Sequence, residues 1–489
     1  MAGQLSGQPI IILDKDKTRT QGRDALGFNI SAAKAVADAV RTTLGPKGMD
    51  KMQAHALVEQ GVHPTTITRG YGLAAEKAIE ILNELAIDAS DDVLENIART
   101  ALTGKSADLA LDSLVQLCVQ TAKSIKEGGK VNVKENINII HQRGGSIKDT
   151  KFIHGLVIDK AKAHKNMPRK VENARIAILD TGIEVEKTQV KSTLKISSPE
   201  LLSEARLEES KLVEERVEAL ARSGANVVFT EKGIDDIGMH YLKKKGIFAV
   251  RRCSEEEIKK LVKATGAHIV SKVDGVEEED LGKAALVEER GVGNYKMVYI
   301  EGCENPKAVS ILIFSGAEHV ADEIERALDD ALRVVGVVIE DGKIVAGGGS
   351  PEIELATRLR KYANTYGGRE QLAIMAYADA LEEIPKGIAE NAGLDAIDII
   401  VDLRNKHNKG AKTAGLNVFT GKAEDMLELG VVEPLRVKTQ EIKSATDAAI
   451  MILRINDILM AKETGMMDVK PEHTADYYDG IQAPDVGED

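Results

Sequence analysis

At 489 residues, 43% of them hydrophobic and 29% charged, the chain is too long for one ordinary core and has the make-up of a soluble protein of two to four domains. A net charge of −13 argues against a general nucleic-acid binder, which needs a positive footprint, and 3% aromatics with no Trp leaves little for base stacking or a sugar cleft. No apolar run reaches bilayer length, and no basic segment precedes the short N-terminal apolar run, so neither a membrane span nor a secretory signal is expected.

Three cysteines (Cys118, Cys253, Cys303), widely separated and without a CxxC, predict reduced, buried thiols in a cytoplasmic protein. Residues 24–44 predict a helix that is Ala/Val-rich from Ala32 to Val40 and is stopped by Leu44-Gly45-Pro46-Lys47-Gly48. A glycine-flanked Pro-Lys is first a helix stop, although backbone N–H groups and an ammonium there also suit a phosphate. Helices are predicted over Leu73–Ile87, Ser90–Leu102 and Ser106–Lys126. Thr103-Gly-Lys105-Ser106 between two of them is like the end of a Walker A loop. Arg99 stands where that motif needs glycine, so it is not one, and Lys105 remains either a solvated lysine or a phosphate contact.

From about residue 150 the pattern turns to α/β alternation. Ala174–Leu179 reads as a strand. Pro199–Arg222 reads as a long charged helix with a thin apolar stripe, either a solvated face or a partner-binding or lid element. Ala225–Thr230, Ile234–Lys245, Gly246–Arg251, Ser254–Thr265 and Ala267–Val270 form a βαβαβ series with no GxGxxG. Lys296–Gly302 and Ala308–Phe314 add two strands.

The stretch Glu325–Ser350 begins as a helix with Ile324, Ala327, Leu328, Ala331, Leu332 and Val335 on one face, and ends in Gly347-Gly348-Gly349. Asp329 and Asp330 lie on that helix. One of them is expected near the apolar face, where a carboxylate has a partner, a metal or a reaction; the alternative is a surface Asp pair and a glycine turn. Helices follow at Ser350–Tyr362, Arg369–Ala392, Ile397–Asn405 and Thr439–Lys462, with a turn at Gly415–Gly421 and an acidic tail from Met466 that reads as disordered. The ends are helical and the middle is α/β, so a discontinuous helical domain from both termini with an inserted βαβ-type domain is the simplest architecture.

Taken together, Leu44-Gly-Pro-Lys-Gly-Met-Asp-Lys-Met52, Gln60-Gly-Val-His-Pro64, Thr103-Gly-Lys105, Gly224-Ala-Asn-Val, Lys232-Gly-Ile-Asp-Asp236, Val345-Ala-Gly-Gly-Gly349, Glu390-Asn-Ala-Gly-Leu-Asp395, Gly415-Leu-Asn-Val-Phe-Thr-Gly421 and Val432-Glu-Pro-Leu-Arg436 resemble the group II chaperonins, specifically the archaeal thermosome subunits. The likeness runs in matching order from about Gln21 to Asp457. It implies a multidomain α/β fold: a mainly helical, discontinuous equatorial nucleotide-binding domain (1–90 and 345–489), a small intermediate hinge domain (91–160 and 311–344), and an α/β apical substrate-binding domain (161–310). The apical domain would carry a helical protrusion, a lid helix at about 197–224. The resemblance further implies an ATP-dependent molecular chaperone in a double ring, with unfolded protein and other subunits as partners, no nucleic acid and no membrane. ATP would be the cofactor, with Mg expected from the family.

By position, Leu44, Gly45 and Pro46 would meet the nucleotide phosphates, and Lys105 would sense the terminal one. Asp330 would be the catalytic residue that positions water, a one-residue choice over Asp329. Gly348 and Gly349 would line the ribose-phosphate, and Asn417 and Glu433 would hold the adenosine. Phosphoryl transfer asks for such placement more than for covalent help.

One departure stands out. Between the positions of Met52 and Gln60 the family carries several dozen more residues, including a β-hairpin and a Gly-Asp-Gly-Thr-Thr-Thr loop with the magnesium ligand. Here Met52 runs through Gln53-Ala-His-Ala-Leu-Val-Glu-Gln60, and no Gly-Asp-Gly-Thr occurs. Losing such donors costs on the order of 10²–10³-fold in rate or more. Two expectations follow: an ATPase folding machine with a weakened or compensated site, or a non-hydrolysing chaperonin-like subunit or holdase.

Overall fold

The computed structural model describes residues 18–21, 30–31, 63–104, 110–184, 199–292, 295–304, 307–455 and 457–460. Most of the predicted 24–44 helix, the Met52–Gln60 junction and the acidic tail lie outside the described residues.

Strand β1 (Thr18–Gln21) pairs with a strand at the other end of the chain. Helix α1 (Pro64–Leu85) starts at Pro64 and not, as periodicity suggested, at Leu73. Proline's fixed φ suits a first helical turn, and the His63 ring nitrogen caps it by accepting from Thr65 N at 3.3 Å. Ile67, Ala74, Ala78, Ile81 and Leu82 form the buried stripe. The expected last residue, Ile87, belongs instead to strand β2 (Ile87–Asp88). Helices α2 (Val93–Leu102) and α3 (Leu111–Ser124) follow.

Strand β3 (Ile137–Arg143) was not foreseen. It lies parallel to β12 (Val309–Ser315), which it meets only after a long excursion of the chain, and β4 (Lys151–Ile153) completes this three-stranded sheet. That excursion builds a second sheet from β5 (Gly155–Ile158), β6 (Lys170–Leu179), β7 (Val227–Thr230), β8 (Phe248–Val250), β9 (Ile269–Val270), β10 (Gly282–Val292) and β11 (Tyr295–Glu301). The order is β5-β11-β10-β6-β7-β8, with β9 beside β6. β6, β7, β8 and β9 run parallel, while β10, β11 and β5 join antiparallel.

Alternation along the strands assigns the two faces of this sheet. Ile176, Ile178, Val227 and Phe229 pack with helix α6 (Glu255–Thr265) on one side. Ala177, Leu179 and Val228 pack with α4 (Pro199–Arg222) and α5 (Asp236–Lys244) on the other. Both faces are covered, which is why its parallel strands read as near-continuous apolar runs. Along α4, Val213, Val217 and Leu220 are buried, whereas Leu207 and Leu212 remain 61% and 57% exposed. Among the described side chains of the stripe, docking begins at Val213.

Helix α7 (Glu318–Asp341) packs Ile324, Leu328, Leu332 and Val335 against α2, α3 and the β3–β12 sheet, and ends on Gly342 at φ +64. Neither aspartate approaches this apolar face, contrary to expectation. Asp329 is half-buried and paired with Arg333 at 2.7 Å one turn on; Asp330 is exposed. The helical period explains this, since Leu328, Ala331 and Leu332 hold the inward arc and 329–330 fall between them.

Strand β13 (Lys343–Ala346) then leads to α8 (Ser350–Ala363), α9 (Arg369–Asn391) and α10 (Ala396–Asn408). Strands β14 (Ala414–Asn417), β15 (Lys422–Asp425) and β16 (Val432–Pro434) precede α11 (Leu435–Arg454). Helices α1, α8, α9 and α11 share one core around Tyr71, Leu355, Leu359, Ile374 and Tyr377. The last helix was expected to reach Lys462. It stops at Arg454, and β17 (Asp457–Met460) pairs antiparallel with β1.

Cys118, Cys253 and Cys303 are buried free thiols, and burial pushes them up to about 12, 12 and 11. Because the thiolate is the reactive form, native protein should take up no alkylating reagent at neutral pH, and three equivalents per chain after denaturation. Mass spectrometry after a timed maleimide pulse reads both numbers, and fast native labelling would contradict the packing.

Candidate functional site

The turn from β13 into α8 is where sequence and structure converge. β13 is the middle strand of a three-stranded antiparallel sheet, between β2 and β16, with Val345 opposite Glu433. Past Ala346 the chain must reverse into a helix within three residues. Gly348 and Gly349 do this at φ +65 and +76, where a side chain would be strained. A Cβ on Gly348 would lie 2.7 Å from Met426 Sδ, and one on Gly349 2.7 Å from Pro385 Cβ. The glycines are therefore demanded by the protein's own packing before any ligand is considered.

The turn is tied on three sides. Gly347 N donates to Val431 O at 2.9 Å, Leu416 N donates to Gly348 O at 2.8 Å, and Ser350 Oγ donates to Lys412 O at 3.0 Å. Gly348 N and Gly349 N donate to no other described residue. They sit at the N-terminus of the 14-residue helix α8, where backbone N–H groups and the helix dipole favour an anion. A phosphate group fits this donor set.

Glu433 and Asn417 flank the turn. Glu433 Oε1 stands 3.3 Å from the point a Cβ of Gly347 would occupy, and its other oxygen accepts from Lys438 Nζ at 2.7 Å. Asn417 ends β14, next to Leu416. Its Oδ1 accepts from Phe419 N and Thr420 N, and its Nδ2 donates to Glu424 at 2.7 Å, so the side chain also holds the β14–β15 hairpin closed. Gly348, Gly349, Asn417 and Glu433 thus share one neighbourhood. Asp330 is exposed on α7, eleven residues before the end of that helix at Asp341. There its charge adds to that of Asp329 in holding the Arg333 guanidinium above its usual range. Leu44, Gly45, Pro46 and Lys105 lie outside the described residues.

Behind the turn is a group that the sequence did not reveal. Lys438, 8% exposed, lies 3.0 Å from Glu352 of α8, 2.7 Å from Glu433 of β16 and 3.3 Å from Glu441 of its own helix. Burial pulls its ammonium down, but the three carboxylates outweigh this and hold it well above the ordinary lysine range. Nothing in the amphipathic pattern of 435–454 marks this lysine as different from its neighbours. The one available signal was Glu352, which with Glu354 puts two acids among Pro351, Ile353 and Leu355 at the start of α8.

Magnesium finds no ready seat here. Among the described residues, the only three His, Cys, Asp or Glu side chains whose donor atoms converge are on β3 and α7, none of them at the glycine turn.

Three comparisons bear on this geometry. The model of the TCP-1/cpn60 chaperonin family matches residues 52–463. The thermosome subunit beta of Archaeoglobus fulgidus is 46% identical over 522 positions, covering 94% of this chain and 96% of that one. A thermosome subunit of Methanopyrus kandleri is 46% identical with the same coverage. Among solved structures, the open-state monomer of a group II chaperonin from Methanococcoides burtonii matches with a TM-score of 0.61 and 46% identity, over 89% of this chain and all of that one. An alignment of 522 positions takes in 94% of 489 residues, about 460, so about sixty positions of the Archaeoglobus protein face a gap in this chain. That is the size of segment whose absence is read between Met52 and Gln60.

Replacing Lys438 by Met strands the buried Glu352 and the partly buried Glu433 without their counter-charge. We expect a loss of about 3 kcal/mol or more in unfolding free energy, read from the denaturant midpoint. A change within ~0.5 kcal/mol would mean that the cluster does not hold the turn.

Proposed function

This chain belongs to the TCP-1/cpn60 chaperonin family, and from that membership we propose that it is an ATP-dependent chaperone subunit of the group II type, binding unfolded protein in a double ring with other subunits. The observation that carries the reading is the length of the match: nearly half of all residues are identical across 94% of the chain, which spans helical ends and α/β middle alike.

The buried clusters support a division into three parts. One core joins α1, α8, α9 and α11, a second joins α2, α3, α7 and the β3–β12 sheet, and two more lie on either face of the seven-stranded sheet. We assign them to an equatorial domain (1–90 and 345–489), an intermediate domain (91–160 and 311–344) and an apical domain (161–310), with α4 in the lid. No described helix is long and apolar enough to cross a membrane. We place the protein in the cytoplasm as part of the same reading.

In this reading ATP supplies a phosphoanhydride whose hydrolysis drives the folding cycle. Gly348 and Gly349 offer N–H groups to its phosphates at the head of α8, together with Leu44, Gly45, Pro46 and Lys105 from the N-terminal part. Asn417 and Glu433 hold the adenosine side, with Lys438 fixing the orientation of Glu433. Asp330 positions the attacking water, its carboxylate accepting a hydrogen bond from it. No step is assigned to magnesium, for which the described residues around the turn offer no converging donors.

The purified chain should hydrolyse ATP, and Asp330→Ala should lower the rate by about 10²-fold or more. Equal, background-level rates in both would remove the catalytic assignment and leave a non-hydrolysing holdase. Particle mass by native mass spectrometry tests the ring separately, since a stable monomer would defeat it.

A further inference from the structure

The residues that converge on β3 and α7 lie away from the glycine turn. His141 is on β3, paired in register with Ile313 of β12, and its ring faces the first half of α7. Asp322 and Glu325, three residues apart on that helix, fall on the same face and both reach the ring. Donor atoms of the three side chains lie within 4.8 Å of one another.

One contact is unlike an ordinary ion pair. Glu325 Oε2 is 2.8 Å from His141 Nε2, yet that nitrogen, which is shut off from solvent, makes no hydrogen bond. The oxygen therefore sits close but off the direction in which the nitrogen's proton or lone pair points. Two ligands each about 2.0–2.1 Å from a shared ion, at an octahedral or tetrahedral angle, are separated by about 2.9–3.4 Å. At 2.8 Å the two atoms stand just inside that spacing, and a small side-chain shift would admit a shared ion between them.

From this geometry we propose that His141, Asp322 and Glu325 form a site for one divalent transition-metal ion. Imidazole and carboxylates together select the borderline ions, zinc, cobalt, nickel or manganese, over calcium. Asp322 Oδ1 lies 3.7 Å from the other ring nitrogen, Nδ1, so this half-exposed side chain must rotate to reach an ion held at Nε2. Water completes the coordination, because Asp322 and Glu325 are 50% and 43% exposed. Of the two cations nearby, one competes with the ion for Glu325. Arg143 is engaged with Glu318 at 3.2 Å, and Lys260, whose ammonium acts on Glu325, bonds Asn138 at 3.0 Å. A metal here cross-links β3 to the N-terminal half of α7, with Glu325 one turn before Asp329, and so braces the helix that carries Asp330.

The test uses the full chain without nucleotide and with Co²⁺ as the probe. We expect one Co²⁺ per chain with a ligand-field absorption band, displaced by Zn²⁺. Since loss of even an outer-shell partner of a metal ligand costs about 10–100-fold in affinity, His141→Ala and the isosteric Glu325→Gln should each weaken uptake by more than about tenfold. Circular dichroism of each variant shows that it remains folded, and the near-identical shape of Glu325→Gln keeps the result readable if His141→Ala unfolds. Absence of Co²⁺ uptake by the wild-type chain, or equal uptake by folded variants, overturns the site.

Discussion

One buried ammonium holds together the part of this molecule on which the rest converges. Lys438 is enclosed by Glu352, Glu433 and Glu441, which come from a helix, a strand and its own helix. Moving such charges out of water costs several kcal/mol each unless partners are fixed at short range. The position of α8 is therefore locked to that of β16, and the glycine turn between β13 and α8 cannot shift without separating opposite charges in a dry interior. Glu433 is held by one oxygen, leaving the other aimed at Gly347. The turn with its two free donors is built rigid, as an anion site must be if its dipoles are to be in place before the anion arrives.

Much of this was legible in the chain, and for local reasons. Pro199–Arg222 matched to the residue because Pro at a helix start and Ser-Gly after its end are both short-range signals. The βαβαβ series was readable because strands covered on both faces are apolar throughout. Where the reading fell short, the deciding partner was remote. β3 is a strand because β12, some 170 residues later, offers it a parallel edge. α1 begins at Pro64 because His63 caps it, a role the His-Pro pair does not announce by periodicity. The aspartates of α7 looked close to the apolar stripe on a linear count, and the 100° step per residue places them outside it. Of the candidate site, glycine, Asn417 and Glu433 were visible through their motifs, while Lys438 was hidden among the other charges of an amphipathic helix.

Helix α7 gives the arrangement its reach. Its 24 residues make a rod about 36 Å long that spans from the β3–β12 sheet to β13. Ile324, Leu328, Leu332 and Val335 anchor it along one side, while acidic groups line the other: Glu318 meets Arg143, Asp322 and Glu325 meet His141, and Asp329 meets Arg333. A rod gripped along its apolar face and guided by ionic contacts on its polar face moves as a unit. Displacement of the sheet at one end is transmitted to the aspartates in the middle with little loss, because a packed helix has few soft degrees of freedom.

The pairing of β1 with β17 has a bearing on how the chain is made. Thr18–Gln21 and Asp457–Met460 are brought together across almost the whole sequence. Gly155–Ala308, by contrast, contains every strand of the seven-stranded sheet and both its apolar layers. On a ribosome, that central unit can close while synthesis continues, and the helical body cannot, because α11 and β17 have not yet emerged. Its earlier pieces, α1 included, carry apolar faces that wait for a late partner. The nascent protein therefore spends the last part of its synthesis with an unfinished body around a finished middle.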